Sequence, residues 1–212
     1  MMIIISPKNM VDYLFTFLSI IIGYIVIQFF EGWRIIITEV ALHNLYWLHI
    51  CWTLFLFIYI LHLWWVFGHY REQISVNFFS FLLTLLPCFL FWLITKSIFP
   101  DYSNDLANIN LKYYYYQQSA YIFSGYSLLM IVSIIGAPYL FEDRKFWTRA
   151  TFSRFILLAI FLIARVETNP IYHVLTFIAN CLITSWFILE YNNGNQIVNK
   201  QTRNTNANQE PL

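Results

Sequence analysis

Apolar residues fill this chain in blocks of about twenty, broken by short polar turns, and a helix of that length crosses a hydrocarbon layer about 30 Å thick. The first block covers 13–30 without a charge; Glu31, Gly32, Trp33 and Arg34 close it, and a short amphipathic link leads to Asn44. The second, 45–68, carries Tyr46, Trp47, Trp64 and Trp65 near its ends, where amphipathic rings favour the headgroup layer. The third, 76–99, has Pro87 at its middle, which removes a backbone donor and predicts a kink. Pro100 and Asp101 end that block, and the polar stretch to Gln118 offers Asn104 and Asp105 as helix caps and Tyr113 to Tyr116 as an interfacial belt. The fourth block is 119–137. In the fifth, only ten residues separate Arg154 from Arg165, about 15 Å of helix. A start near Trp147 gives a span of 147–166, in which the long stem of Arg154 lifts its head towards the surface. The sixth is 171–190, and the Asn-rich stretch 192–212 reads as a disordered polar tail.

The fold class expected is therefore all-α: a polytopic transmembrane helical bundle of about six spans. Alternating ten-residue strands are absent, which argues against a barrel. Lys8, Arg71, Arg144, Lys145, Arg149, Arg154, Lys200 and Arg203 share one side of this arrangement, while Arg34, Lys96, Lys112 and Arg165 share the other. Basic residues collect on the cytoplasmic side, so both termini are expected to be cytoplasmic. No internal repeat of the inverted-repeat transporter kind is evident.

Composition agrees with lipid as solvent, since 59% of the 212 residues are hydrophobic, 21% aromatic and only 11% charged. A formal charge of +1, with no basic domain or tail, excludes nucleic acid as a partner. The partners expected are the bilayer itself and either another membrane protein or a second copy. Cys51, Cys88 and Cys181 all lie in apolar blocks, and their odd number and wide spacing fit buried thiols better than a disulfide framework. The first apolar run lacks a basic leader and cleavage chemistry and is expected to stay as an anchor. The absence of any N-x-S/T sequon leans towards a bacterial inner membrane.

Residues three, four, seven and eleven apart share a helix face, and polar residues at those spacings suggest which side avoids lipid. The third block aligns Asn77, Ser80, Thr84, Cys88 and Thr95; the sixth aligns His173, Thr176, Asn180 and Thr184; the first aligns Asp12, Thr16, Ser19 and Gly23. From these, Asn77, Thr84, Asn180 and Thr184 are taken as the polar interior. Small hydroxyl residues often serve only helix packing. A buried amide such as Asn180 must find partners in a neighbour or in water, so it separates packing from a polar pathway.

The same topology puts His49, Ser124 and His173 at one depth near the outer surface, with His43, Glu31, Glu39, Asp101, Asp105 and Glu167 on that side. Histidines there can simply face interfacial water, or can serve protons, a metal or haem. His49 and His173 are the candidates for a cofactor. His62 and His69 share a face, but the sixth block offers only His173, so a two-haem relay lacks ligands. Arg154 and Glu190 fall at one level near the inner surface and are expected to form an intramembrane charge pair.

The stretch Tyr46, Trp47, Leu48, His49 with Trp52, then Trp64 and Trp65, then Phe99, Pro100, Asp101 and the tyrosine run, resembles a loose group of uncharacterised bacterial multi-pass membrane proteins. That resemblance covers the second to fourth blocks and implies no activity. Ser124, His173, and Trp33 with Arg34 make the chain similar to rhomboid proteases, which carry a serine on span four, a histidine on span six and a Trp-Arg pair in the first loop. That likeness implies a nucleophile beside a base in a water-filled pocket. Gly125 follows Ser124 as in that family, but Ile122 stands where its motif has glycine, and close-packing glycines are missing after His173.

No phosphate-cradling glycine loop, no H-E-x-x-H run and no lysine in the last block for a Schiff base is present. The sequence therefore favours a non-catalytic membrane component or small transporter-like protein with a polar helix-packing interior, requiring no cofactor. The alternatives are a membrane enzyme or electron-transfer subunit with haem or metal at His49 and His173, and a rhomboid-like serine protease at Ser124.

Overall fold

The computed structural model describes residues 7–69, 77–101, 109–140 and 149–186. All regular structure among them is helical: α1 Pro7–Glu39, a 3-10 turn Leu42–Asn44, α2 Trp47–His69, α3 Phe78–Ile98, α4 Leu111–Leu140, α5 Arg149–Ala164 and α6 over 170–186. Four of the helices, Val11–Glu39, Trp47–Gly68, Phe78–Ile98 and Leu111–Gly136, are long and apolar enough to cross a membrane, and Thr151–Ala164 is a shorter apolar helix. The chain is a helical bundle built for lipid.

Its surface carries the same message as its helix lengths. Ile20, Ile27, Trp65, Phe78 and Leu182 are each more than 60% exposed. Large apolar side chains turned outward on helix after helix are unfavourable in water and natural in hydrocarbon.

Asparagine starts three of the helices. The Asn77 carboxamide accepts from the Ser80 N–H at 2.8 Å while the Ser80 hydroxyl accepts from the Asn77 N–H, a reciprocal capping box. Asn110 Oδ1 accepts from the Lys112 and Tyr113 N–H groups, and Asn169 Oδ1 from that of Ile171. Pro170 then takes the first helical position of α6, where its missing donor costs nothing. The caps expected at Asn104 and Asp105, and the tail from 192 onward, lie outside the described residues.

Two helices outrun the expected blocks. α1 continues through Glu31, Gly32, Trp33 and Arg34 to Glu39 instead of ending there. The Arg34 guanidinium binds the Glu31 carboxylate at 2.8 Å one turn away, so neither charge breaks the helix. Gly32 lies under the Phe99 ring, with no room for a β-carbon. α4 begins at Leu111, so the tyrosine run belongs to a helix: Tyr113 is exposed and Tyr115 fully buried. Pro87 sits inside a continuous α3.

The core is aromatic and centres on Trp52 of α2. Its indole meets Phe123 and Tyr126 of α4, Phe161 of α5 and Phe177 of α6, with ring centroids 5.2 to 6.3 Å apart. α4 packs most extensively against α3 and α5, and Gly125 makes the first of these contacts close, since a β-carbon there would overlap the Ile94 side chain. Cys88 is buried, Cys51 and Cys181 are half-buried, and all three thiols are free.

Candidate functional site

Chemistry-bearing side chains gather at two levels of the bundle. One is the end where α2, α4 and α6 begin; the other lies deeper, where Arg154 stands near the start of α5.

At the first level, α3 ends against Pro100, and its last carbonyls have no intrahelical donor. His49 Nε2 donates to the Ile98 carbonyl at 2.6 Å, and the Tyr114 hydroxyl lies 2.7 Å from the Phe99 carbonyl and 3.1 Å from that of Ser97. A carbonyl only accepts, so the proton of His49 is on Nε2. Its Nδ1 is buried and has no hydrogen-bond partner among the described residues.

His173 closes the α5–α6 turn. Its Nε2 donates to the Glu167 carbonyl at 2.8 Å, and in the neutral ring Nδ1 then accepts from the Tyr115 hydroxyl at 2.9 Å. Tyr115 lies between the two histidines, its ring 6.4 Å from that of His49 and 5.5 Å from that of His173. Tyr116 stacks edge-on against His173 and shares a hydroxyl contact of 3.0 Å with Tyr46. Ligation of a haem through the Nε2 atoms of His49 and His173 would break both of these bonds to backbone carbonyls. The arrangement fastens α2, α3, α4 and α6 together by way of their backbones and rings.

The acidic residues of that end do not converge. Glu31 pairs with Arg34, Glu39, Asp101 and Glu167 are exposed, and His43 is exposed in the 3-10 turn. No three metal-ligating side chains meet among the described residues. Asp105 lies outside them.

The protease elements also stay apart. Ser124 Oγ donates to the Ala120 carbonyl of its own helix, Arg34 holds Glu31, and both hydrogen bonds of the His173 ring go elsewhere. Gly125 serves contact with Ile94.

Polar residues along the helices divide by what they bond. Thr16 and Ser19 of α1 are exposed, each donating to the carbonyl four residues back, so the polar face of α1 points away from the bundle and Leu14, Leu18, Ile25 and Phe29 pack inward. A hydroxyl satisfied by its own helix has no need of an interior. On α3, Thr84 is fully buried and donates to the Ser80 carbonyl at 2.7 Å, while Asn77 is exposed at the helix start. On α6, Asn180 is fully buried, and the half-buried Thr184 shares a 3.1 Å hydroxyl contact with Tyr59. Neither polar atom of the Asn180 side chain has a partner among the described residues.

Below the aromatic core, α2 to α6 surround a cavity of about 220 Å³. Pro87 and Gly136 are both in its wall: the proline has no N–H to give the Leu83 carbonyl, and Gly136 withholds a side chain beside Leu83. Its walls are mainly aliphatic, with Tyr59, His62, Ser133, Ser153, Arg154 and Thr184 as the polar members. Arg154 Nη1 lies 3.4 Å from the Ser133 carbonyl. Its expected partner Glu190 lies outside the described residues.

Sequence reasoning placed no cavity here. Pro87 stands out in the sequence as an expected kink and Arg154 as an intramembrane charge, but the cavity also needs Leu83 and Gly136, which meet from α3 and α4. No known family matches the chain, and neither a curated protein nor a solved structure shows significant similarity to it.

Proposed function

We propose that this chain is a multi-pass protein of the small-transporter type, crossing a bacterial inner membrane six times with both ends cytoplasmic. Its cavity takes up an apolar or amphipathic molecule and performs no covalent chemistry on it. The observation that carries this reading is the make-up of the cavity: a space of about 220 Å³ with mostly aliphatic walls and a few polar groups, the usual composition of a small-molecule site. The histidine end supports the non-catalytic part, since its ring nitrogens are mostly spent on backbone carbonyls and a tyrosine.

The six-span reading draws on α5 and α6 together. α5 is 16 residues long, about 24 Å, and becomes a crossing when its flanking residues reach the headgroups. The basic residues then fall mainly on the side where α1 begins, which supports cytoplasmic ends.

The test is retention of an amphiphile. Native mass spectrometry of the protein released from mild detergent should show a bound long-chain fatty acid or alcohol after incubation with either. Gly136→Phe fills the cavity and should abolish retention while the helical circular dichroism is kept. Equal retention by the two proteins would remove the cavity from the account.

A further inference from the structure

Just above the cavity, two polar groups are buried without hydrogen-bond partners among the described residues. Asn180 is 0% exposed, and its amide nitrogen and oxygen both lack partners among the described residues; Tyr126 is 1% exposed, and its hydroxyl lacks one as well. A carboxamide offers two donors and an acceptor oxygen with two lone pairs, and a phenol offers one donor and an acceptor. In a bundle with lipid outside, such groups cannot turn to the surface for water.

The fold sets them at one level. Tyr126 lies one turn before Leu129 and Met130 on α4, and Asn180 one turn before Ile183 and Thr184 on α6; those four residues line the cavity. The Trp52 ring meets both Tyr126, at 5.5 Å, and Phe177, one turn before Asn180, at 5.2 Å, tying the two helices to a common depth.

We infer that Asn180 and Tyr126 hold water at the centre of the bundle, a hydration site continuous with the cavity below. A buried water characteristically makes two to four hydrogen bonds to polar groups that have no other partner, and this layer supplies them. Access runs past the Tyr59–Thr184 contact: both residues line the cavity, and their hydroxyls bond each other at 3.1 Å. Rotation of either hydroxyl leaves a donor and an acceptor facing upward to pass a water on. The inference is independent of which molecule the cavity takes.

Radiolytic hydroxyl-radical footprinting of the full chain in nanodiscs tests it, because radicals formed from bound water modify the side chains beside it. Tyr115 is the dry control: it is 0% exposed and its hydroxyl is engaged by His173. Tyr126 should be modified several-fold faster than Tyr115, towards the rate of Tyr113, which is exposed at the interfacial start of α4. In Asn180→Leu the Tyr126 rate should fall to that of Tyr115. Equal slow rates for Tyr126 and Tyr115 in the unaltered chain would overturn the site. An unchanged fast rate in a folded Asn180→Leu protein would overturn the role of Asn180. The comparison within the unaltered chain decides the matter even if the variant fails to fold.

Discussion

Tyr115 holds the histidine end together by donating to His173 Nδ1 from a fully buried position. Tyr115→Phe keeps the ring and removes the donor, which leaves a buried nitrogen unmet and should cost about 1–3 kcal/mol in unfolding measured in mixed micelles. The glycines make a second contrast. A β-carbon at Gly125 overlaps Ile94, so Gly125→Ala should destabilise by about 1–3 kcal/mol, whereas a β-carbon at Gly23 meets nothing within 4 Å and Gly23→Ala should not destabilise the bundle. At this scale the sequence told residue type but not circumstance. His49 and His173 stood out as titratable groups near one depth, yet their neighbour Tyr115 looked like one ring in an interfacial run. Only the start of α4 at Leu111 turns that ring inward.

Helix periodicity was the legible part of the elements, and chemistry at the ends was less so. Apolar length located α2 and α3 closely, because in lipid an uninterrupted apolar stretch has to satisfy its own backbone as a helix. It failed at α1, where Glu31 and Arg34 neutralise each other on one face and let the helix run on to Glu39. It failed also on the polar face of α1, because Thr16 and Ser19 bond their own carbonyls and can face outward. Pro87 is the informative element-scale residue. Pro87→Ala restores a donor to the Leu83 carbonyl and should raise the thermal midpoint of the bundle. The same change alters the cavity wall and should weaken amphiphile retention. A higher midpoint with unaltered retention would separate the helix distortion from the cavity.

For the whole molecule, composition alone named the solvent, while the cavity needed five helices in place before it could be seen. Its lining residues are ordinary core types, and their meaning comes from packing: aliphatic side chains with Pro87 and Gly136 line the space here, where the core around Trp52 is filled by aromatic rings. In the proposed threading the histidine end and the Arg154 end face opposite sides of the bilayer. Leu42, Asn110 and Val166 lie in the three turns at the histidine end. Single cysteines placed there, in a chain whose Cys51, Cys88 and Cys181 are replaced by alanine, can be probed in intact cells with a membrane-impermeant maleimide. All three should react from outside, while a cysteine at Arg149 should react only after the membrane is opened. Reaction of the three from different sides, or of Arg149→Cys together with them, would contradict the account.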